Sequence, residues 1–483
     1  MTGPVSRRLA TALAGALLVL SPLVGCAPDA GPARADPLAP LAGAPVVLIS
    51  LDTLRADRLG CLGNTRGLTP HLDAFAGDAL LFERCFASAN NTAPSHMTML
   101  TGLSPIVHGI DHGEPGRPAE AVPLLADVLN RAGWETWALA DGGFVTRGFG
   151  FDRGFDRFES ELQPFEHKLP LLLEWIAEGP RATAGGDAAP RLLFVHTYEP
   201  HSPYAPREEF DRFTDDAYDG RLRPVVEEIR EAFENPEQSY EMGVLARNFW
   251  KDRGHLQDDD VEYLRGLYDG GVLQTDALMG RVLDALRRGG WYDEAWIVIT
   301  SDHGEAFREH GSFEHRQLFT EELHVPLIIR PPGGLPGGRR TADTARLLDV
   351  APTILHAVGL PRPALVEGRS LLPLGAFRDR PIYSVAGESR HYRSLQMGDL
   401  KVHRRWGGRI ELFDLASDPT ESDDLSLRDP PPPWAAAALA AMDEIEEQAA
   451  ALREAVGEPG STGAIDPEVL EELIRLGYIG GDN

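Results

Sequence analysis

Four short runs of apolar residues share one layout along the chain. Each is continuous rather than alternating, and each stops at polar residues capable of chemistry. Val46-Val47-Leu48-Ile49-Ser50-Leu51 ends at Asp52, and Trp137-Ala138-Leu139-Ala140 ends at Asp141-Gly142-Gly143. Leu192-Leu193-Phe194-Val195 runs into His196 and then Glu199-Pro200-His201, and Trp296-Ile297-Val298-Ile299-Thr300 runs into Ser301-Asp302-His303-Gly304-Glu305. Runs of this kind suit strands buried on both faces. Helical patterns lie between them, as from Leu124 to Ala132 and from Val261 to Arg288. Strands alternating with helices predict an α/β fold with a large, mostly parallel central sheet. In such sheets a site gathers outside the carboxyl ends of the strands, which here collect acids and histidines.

The pattern changes near Pro381. Ile382-Tyr383-Ser384-Val385, Tyr392-Arg393-Ser394-Leu395 and Ile410 to Leu415 are short, alternating and divided by Gly or Asp turns, which predicts a small antiparallel sheet. After Asp429 and four prolines, an Ala- and Glu-rich helical pattern runs from Trp434 to Val456. At the other end, Arg7 and Arg8 precede an apolar run from Leu9 to Leu20, the layout of an export signal. The expected organisation is a signal over residues 1–26, a flexible Ala/Pro/Gly tether over 27–44, a catalytic domain over 45–378, an antiparallel subdomain over 379–430 and a helical tail over 431–483.

Composition narrows the partners. Acids outnumber bases 74 to 46, a net charge of −28, which opposes nucleic acid and anionic membrane surfaces as general partners. An anionic substrate stays compatible, because a cation in one pocket reverses the local field. Of the three cysteines, Cys26 follows Leu23-Val24-Gly25, and Cys61 and Cys85 make no zinc-ligand spacing.

The candidate chemistry sits at the strand ends. Asp52 and Asp302 offer hard oxygen ligands, and His303 offers an imidazole suited to zinc or manganese more than to calcium. Thr92 lies in Asn90-Asn91-Thr92-Ala93-Pro94-Ser95-His96-Met97, where Pro94 fits the first turn of a helix running to Gly102. A hydroxyl just ahead of a helix faces free N–H groups and the positive end of the dipole, an arrangement that favours an anion. Asp269 and Asp276, seven apart on a predicted helix, share one face. Such acids more often brace a helix than bind a second metal, so one divalent metal ion is expected.

Five ordered motifs now resemble the sulfatase family of the alkaline phosphatase superfamily: Val46 to Gly60, Thr69-Pro70-His71-Leu72-Asp73, Thr92 to Gly102, Ser301 to Glu305, and Leu323-His324-Val325-Pro326-Leu327. Leu412 to Pro419 resembles the family's C-terminal subdomain. The resemblance implies an alkaline-phosphatase-like α/β/α sandwich with a small C-terminal antiparallel β subdomain. It implies Asp52, Asp302 and His303 as metal ligands with Thr92 beside them as a further member of the metal set, and places Thr92 where sulfatases keep the residue converted to formylglycine. It matches His201 to a substrate-contacting histidine and His315 to an anion-gripping Lys, with His310 in the adjoining loop as a further candidate. Leu23 to Cys26 resembles a bacterial lipoprotein cleavage box, which implies lipidation of Cys26 and an exported protein anchored to the cell envelope.

The chain departs from the family in three places. Thr92 cannot become formylglycine, because oxidising its secondary alcohol gives a ketone. Asp52 is followed by Thr53 where two acids are usual, and His96 replaces an Arg. A threonine adduct must be relieved by water or another acceptor, a route open to phospho-threonine. The expectation is therefore a hydrolase of anionic esters, phosphoester or phosphodiester favoured over sulfate. Its catalytic set is Thr92, His96, His201, His315 and His310, with manganese, zinc or calcium as the metal. The alternatives are a transferase of phosphoryl-linked head groups and a non-catalytic glycan-binding lipoprotein.

Overall fold

The computed structural model describes residues 36–461 except 111–115, 162, 181–188, 235–255, 376, 379, 387 and 388. The export signal and Cys26 lie outside the described residues. No helix among the described residues is long and apolar enough to cross a membrane.

The apolar runs become the middle of an eight-stranded sheet. Its order is Arg339–Arg346, Leu80–Phe86, Leu327–Arg330, Trp296–Thr300, Val46–Leu51, Arg191–Thr197, Glu135–Leu139, Arg157–Glu159. All adjacent pairs are parallel except the two made by Leu327–Arg330, which therefore runs against the other seven. The unbroken hydrophobicity has a direct cause. Val46 and Leu48 enter one core with Leu192, Phe194, Trp296 and Val298, while Val47, Ile49 and Leu51 enter the opposite core with Leu193, Val195, Ile297 and Ile299.

Helices cover both faces. The first core receives Ala93 and Met97 from helix Thr92–Thr101, Leu125 and Leu129 from Leu125–Arg131, and Ile354 from Val350–Ala357. The second receives Leu72 and Phe75 from Pro70–Ala76, Leu169 and Leu172 from Phe165–Ala177, and Leu264 to Leu286 from the long helix Asp258–Arg288. This is the expected α/β/α sandwich.

The C-terminal sheet is antiparallel and has four strands, Ile382–Ala386, Ser389–Met397, Leu400–Arg404 and Ile410–Asp414. It packs with helix Ala435–Val456, which also sends Ala449 and Val456 into the first core. Cys61 and Cys85 are free thiols.

Candidate active site

Register brings the strand ends level. Ser50 pairs with His196 on one side and Thr300 on the other, so Asp52, the segment after His196 and Ser301-Asp302-His303 emerge from the same edge. Thr53 N–H donates to Asp302 Oδ1 at 3.2 Å and Leu54 N–H donates to Ser301 Oγ at 3.0 Å, which ties the two loops together.

Asp52, Asp302 and His303 are fully buried, and one ligand atom from each lies within 4.8 Å of the others. Asp302 Oδ1 accepts from the N–H groups of Thr53 and His303, and His303 Nδ1 meets Gly304 O at 2.9 Å. Those contacts leave Asp52 Oδ1, Asp302 Oδ2 and His303 Nε2 without hydrogen-bond partners. Buried polar atoms are costly when unsatisfied, so three of them converging fit a divalent cation. Burial, followed by the charge of Asp302, holds the Asp52 carboxyl well above the usual range. A cation between the two acids reverses that cause.

Thr92 is the first residue of helix Thr92–Thr101, which starts one position earlier than the sequence implies, with Asn91 in extended conformation as its N-cap. Its hydroxyl donates to Asp52 Oδ2 at 3.3 Å. The helix is held by contacts on every side, since all ten of its residues are buried. It ends at Gly102, whose φ of 70° is left-handed and whose missing side chain leaves room for Val366 Cγ1, 2.6 Å from an ideal Cβ.

The candidate histidines divide. His201 and His315 face each other with ring centroids 5.3 Å apart, and His315 lies 4.4 Å from His303. His315 Nδ1 is 3.1 Å from Glu305 Oε1. Asn90, two residues before Thr92, donates its side-chain amide to the carbonyls of His315 and Gln317, which fixes that loop against the start of the helix.

His96 packs under the start of the Thr92 helix and borders the ligand group, with its Nδ1 3.4 Å from Asp302 Oδ2. Its Nδ1 is 2.9 Å from Thr92 O and its Nε2 is 2.9 Å from Ser50 Oγ, so both nitrogens are engaged in holding the helix to the strand. Burial first, against the opposing charge of Asp302, keeps it below the usual histidine range and hence neutral. His310 is turned away from the group. Its Nδ1 pairs with Glu321 Oε1 at 2.7 Å, its Nε2 reaches Thr420 O at 3.0 Å, and its ring stacks 3.4 Å from Phe319. The structure thus brings Asp52, Thr92, Asp302, His303, His201 and His315 together, with His96 against Asp302 and His310 engaged by Glu321, Thr420 and Phe319.

One neighbour goes unselected by sequence reasoning. His196 Nε2 lies 3.3 Å from Asp52 Oδ2, and its ring meets those of His96 and Tyr198 edge-on. The signal was its position at the end of an apolar run, but only the pairing with Ser50 shows which loop it faces.

Asp269 and Asp276 are engaged elsewhere. Asp269 takes ion pairs from Arg58 and Arg66, and Asp276 accepts the N–H groups of His71 and Leu72 at the start of helix Pro70–Ala76.

Comparison with known proteins decides the family. The sulfatase family profile matches residues 45–360, and the profile of the C-terminal region of N-sulphoglucosamine sulphohydrolase matches residues 308–431. The chain belongs to the sulfatase family. Within that family, Danio rerio arylsulfatase K is 34% identical over 121 residues, 25% of this chain but only 23% of that protein's own length. An arylsulfatase of Clostridium perfringens is 23% identical over 79% of this chain and 89% of its own. Among solved structures, the phosphonate monoester hydrolase of Agrobacterium radiobacter superposes with a TM-score of 0.65 at 22% identity, covering 86% of this chain and 96% of its own. That similarity establishes the fold.

Proposed function

We propose that this sulfatase-family chain is an exported, lipid-anchored, metal-dependent hydrolase of phosphoesters or phosphodiesters with Thr92 as nucleophile. The observation that carries the reading is the Thr92 hydroxyl at a helix start, 3.3 Å from Asp52 Oδ2 and beside three unpartnered buried ligand atoms. Asp52, Asp302 and His303 would hold the cation, and the mixed oxygen and imidazole set suits manganese or zinc better than calcium. Such a cation supplies Lewis-acid charge to an oxyanion substrate.

In the reaction, Thr92 Oγ1 bonds to phosphorus as the bond to the leaving oxygen breaks. The hydroxyl proton departs along its hydrogen bond to Asp52 Oδ2, and His315, whose Nδ1 is 3.1 Å from Glu305 Oε1, gives a proton to the leaving alcohol, with His201 beside it. Water then attacks the phospho-threonine, giving its proton to the histidine that protonated the leaving alcohol, as the bond from phosphorus to Thr92 Oγ1 breaks and Asp52 returns a proton to that oxygen. His96 and Ser50 keep the helix start in place throughout. The chain's sulfatase relatives make sulfate esters the rival substrate. Phosphate is favoured because residue 92 cannot supply the aldehyde whose hydrate sheds sulfate.

The test is hydrolysis of bis(p-nitrophenyl) phosphate and p-nitrophenyl sulfate by Thr92→Ala and Thr92→Ser proteins with added manganese or zinc. The Ala variant should lose on the order of a thousandfold or more in kcat, and the Ser variant should retain turnover. Unchanged hydrolysis by Thr92→Ala ends the nucleophile assignment, and turnover of the sulfate ester alone ends the phosphate preference. For the anchor, Cys26→Ala should move the protein out of the membrane fraction.

A further inference from the structure

Thr53 adjoins the ligand group and has two features that its role in the chain path does not explain. Its φ is 56°, a left-handed conformation, and of the four described non-glycine residues with positive φ it alone is β-branched. Glycine, asparagine or aspartate adopts that conformation with less strain. The backbone is nevertheless pinned there, because Thr53 N–H donates to Asp302 Oδ1 at 3.2 Å and Thr53 O accepts from the Tyr268 hydroxyl at 2.8 Å. Second, Thr53 is fully buried, yet its Oγ1 has no hydrogen-bond partner among the described residues. A threonine hydroxyl ordinarily finds a backbone or side-chain partner when enclosed. Thr53 lies between Asp52 in sequence and Asp302 in space, whose Oδ1 and Oδ2 are likewise unpartnered.

Strain held in place beside a site, on a residue poorly suited to it, points to a role for the side chain. We infer that Thr53 Oγ1 is a further oxygen donor to the cation held by Asp52, Asp302 and His303. The inference rests on the metal reading above. It makes the site one of two carboxylates, one imidazole and one neutral hydroxyl. The formal charge of the ligands is then −2, which a divalent cation balances without surplus.

The experiment is calorimetric titration of the metal-stripped full chain with manganese, zinc and calcium, alongside thermal melts with and without metal. Thr53→Val, isosteric but without the hydroxyl, should bind the cation on the order of tenfold more weakly. Its metal-free melting temperature should be unchanged or higher, because an unsatisfied buried hydroxyl has been removed. Thr53→Ser should bind like the parent chain. Thr53→Asp, which adds a carboxylate at a φ that aspartate tolerates, should bind tighter, with the largest gain for calcium. Parent-like affinity in Thr53→Val overturns the inference while leaving the metal site standing. Failure of the parent chain itself to bind any of the three cations overturns the metal reading and this inference with it.

Discussion

His196 Nε2 and the Thr92 hydroxyl converge on one atom, Asp52 Oδ2, each at 3.3 Å. Burial, followed by the charge of His96, holds His196 well below the usual histidine range, so its imidazole is neutral and donates from Nε2. Two donors on Oδ2 leave Oδ1 as the free oxygen of Asp52. His196→Phe preserves the ring and removes one donor, so the carboxylate loses a constraint on its rotation. Metal affinity and kcat should both fall by about 10- to 100-fold, with an unchanged circular dichroism spectrum. Parent-like values for both would remove His196 from the site.

Chelation should destabilise the fold as well as stop turnover. With the cation gone, Asp52 and Asp302 confront each other in a buried space, and the like charge pushes Asp52 towards protonation. A cation at 100 times its Kd adds about 2.7 kcal/mol to stability. Differential scanning calorimetry should therefore show a Tm lower by a few degrees in EDTA, restored by manganese or zinc. No difference between the two conditions would count against a resident metal.

The C-terminal sheet should affect the active site through one ion pair. Lys401 Nζ meets Glu421 Oε1 at 2.7 Å with both side chains 1% exposed, and Glu421 Oε2 accepts the N–H of Thr320. That carboxylate thereby anchors the segment following His315. Lys401→Met leaves Glu421 buried without its partner and should cost about 3–5 kcal/mol in urea denaturation. The double variant Lys401→Met/Glu421→Gln should recover much of that loss. A single variant as stable as the parent would show that solvent reaches Glu421.

Glu199 supplies a pH signature that requires no bound metal. Burial, followed by the charge of Asp141, raises its pKa to about 7, while Phe165 N–H and the Gln274 amide donate to it. An acid raised in the folded state contributes stability that is full below its unfolded pKa of about 4.3 and is lost as pH rises through the folded value. Between about pH 4 and pH 7 the native state holds the extra proton, so stability declines across that window. Glu199→Gln should flatten the decline, matching the parent near pH 4 and melting a few degrees higher at pH 8. Parallel Tm–pH curves for the two proteins would refute the assignment.

The central strands were legible because burial on both faces writes itself as unbroken hydrophobicity, and Asp52, Asp302 and His303 stand where those runs stop. Strand Leu400–Arg404 was not, since it carries Lys401 and His403 inward. Their partners Glu421, Glu411 and Tyr392 arrive only from other segments of the folded chain. The outer strand Leu80–Phe86 is similarly masked by Glu83 and Arg84 in its middle. His310 shows the opposite case. Its loop does adjoin the site, but stacking on Phe319 and pairing with Glu321 turn the ring towards the C-terminal sheet. Spacing along a chain indicates which residues share a loop, whereas the direction of a side chain is set by what it packs against, here Phe319, Glu321 and Thr420.

Helix Thr92–Thr101 is enclosed along its whole length, so the location of residue 92 is set collectively by the helix's other nine packed residues, His96 among them. The side chain at that position is thereby uncoupled from the scaffold that aims it. A single codon change can exchange one side chain for another at residue 92 while the backbone, the acids and the dipole stay where they are. Such a socket lets one architecture move between leaving groups without refolding, and makes residue 92 the natural first position for redirecting this enzyme in the laboratory.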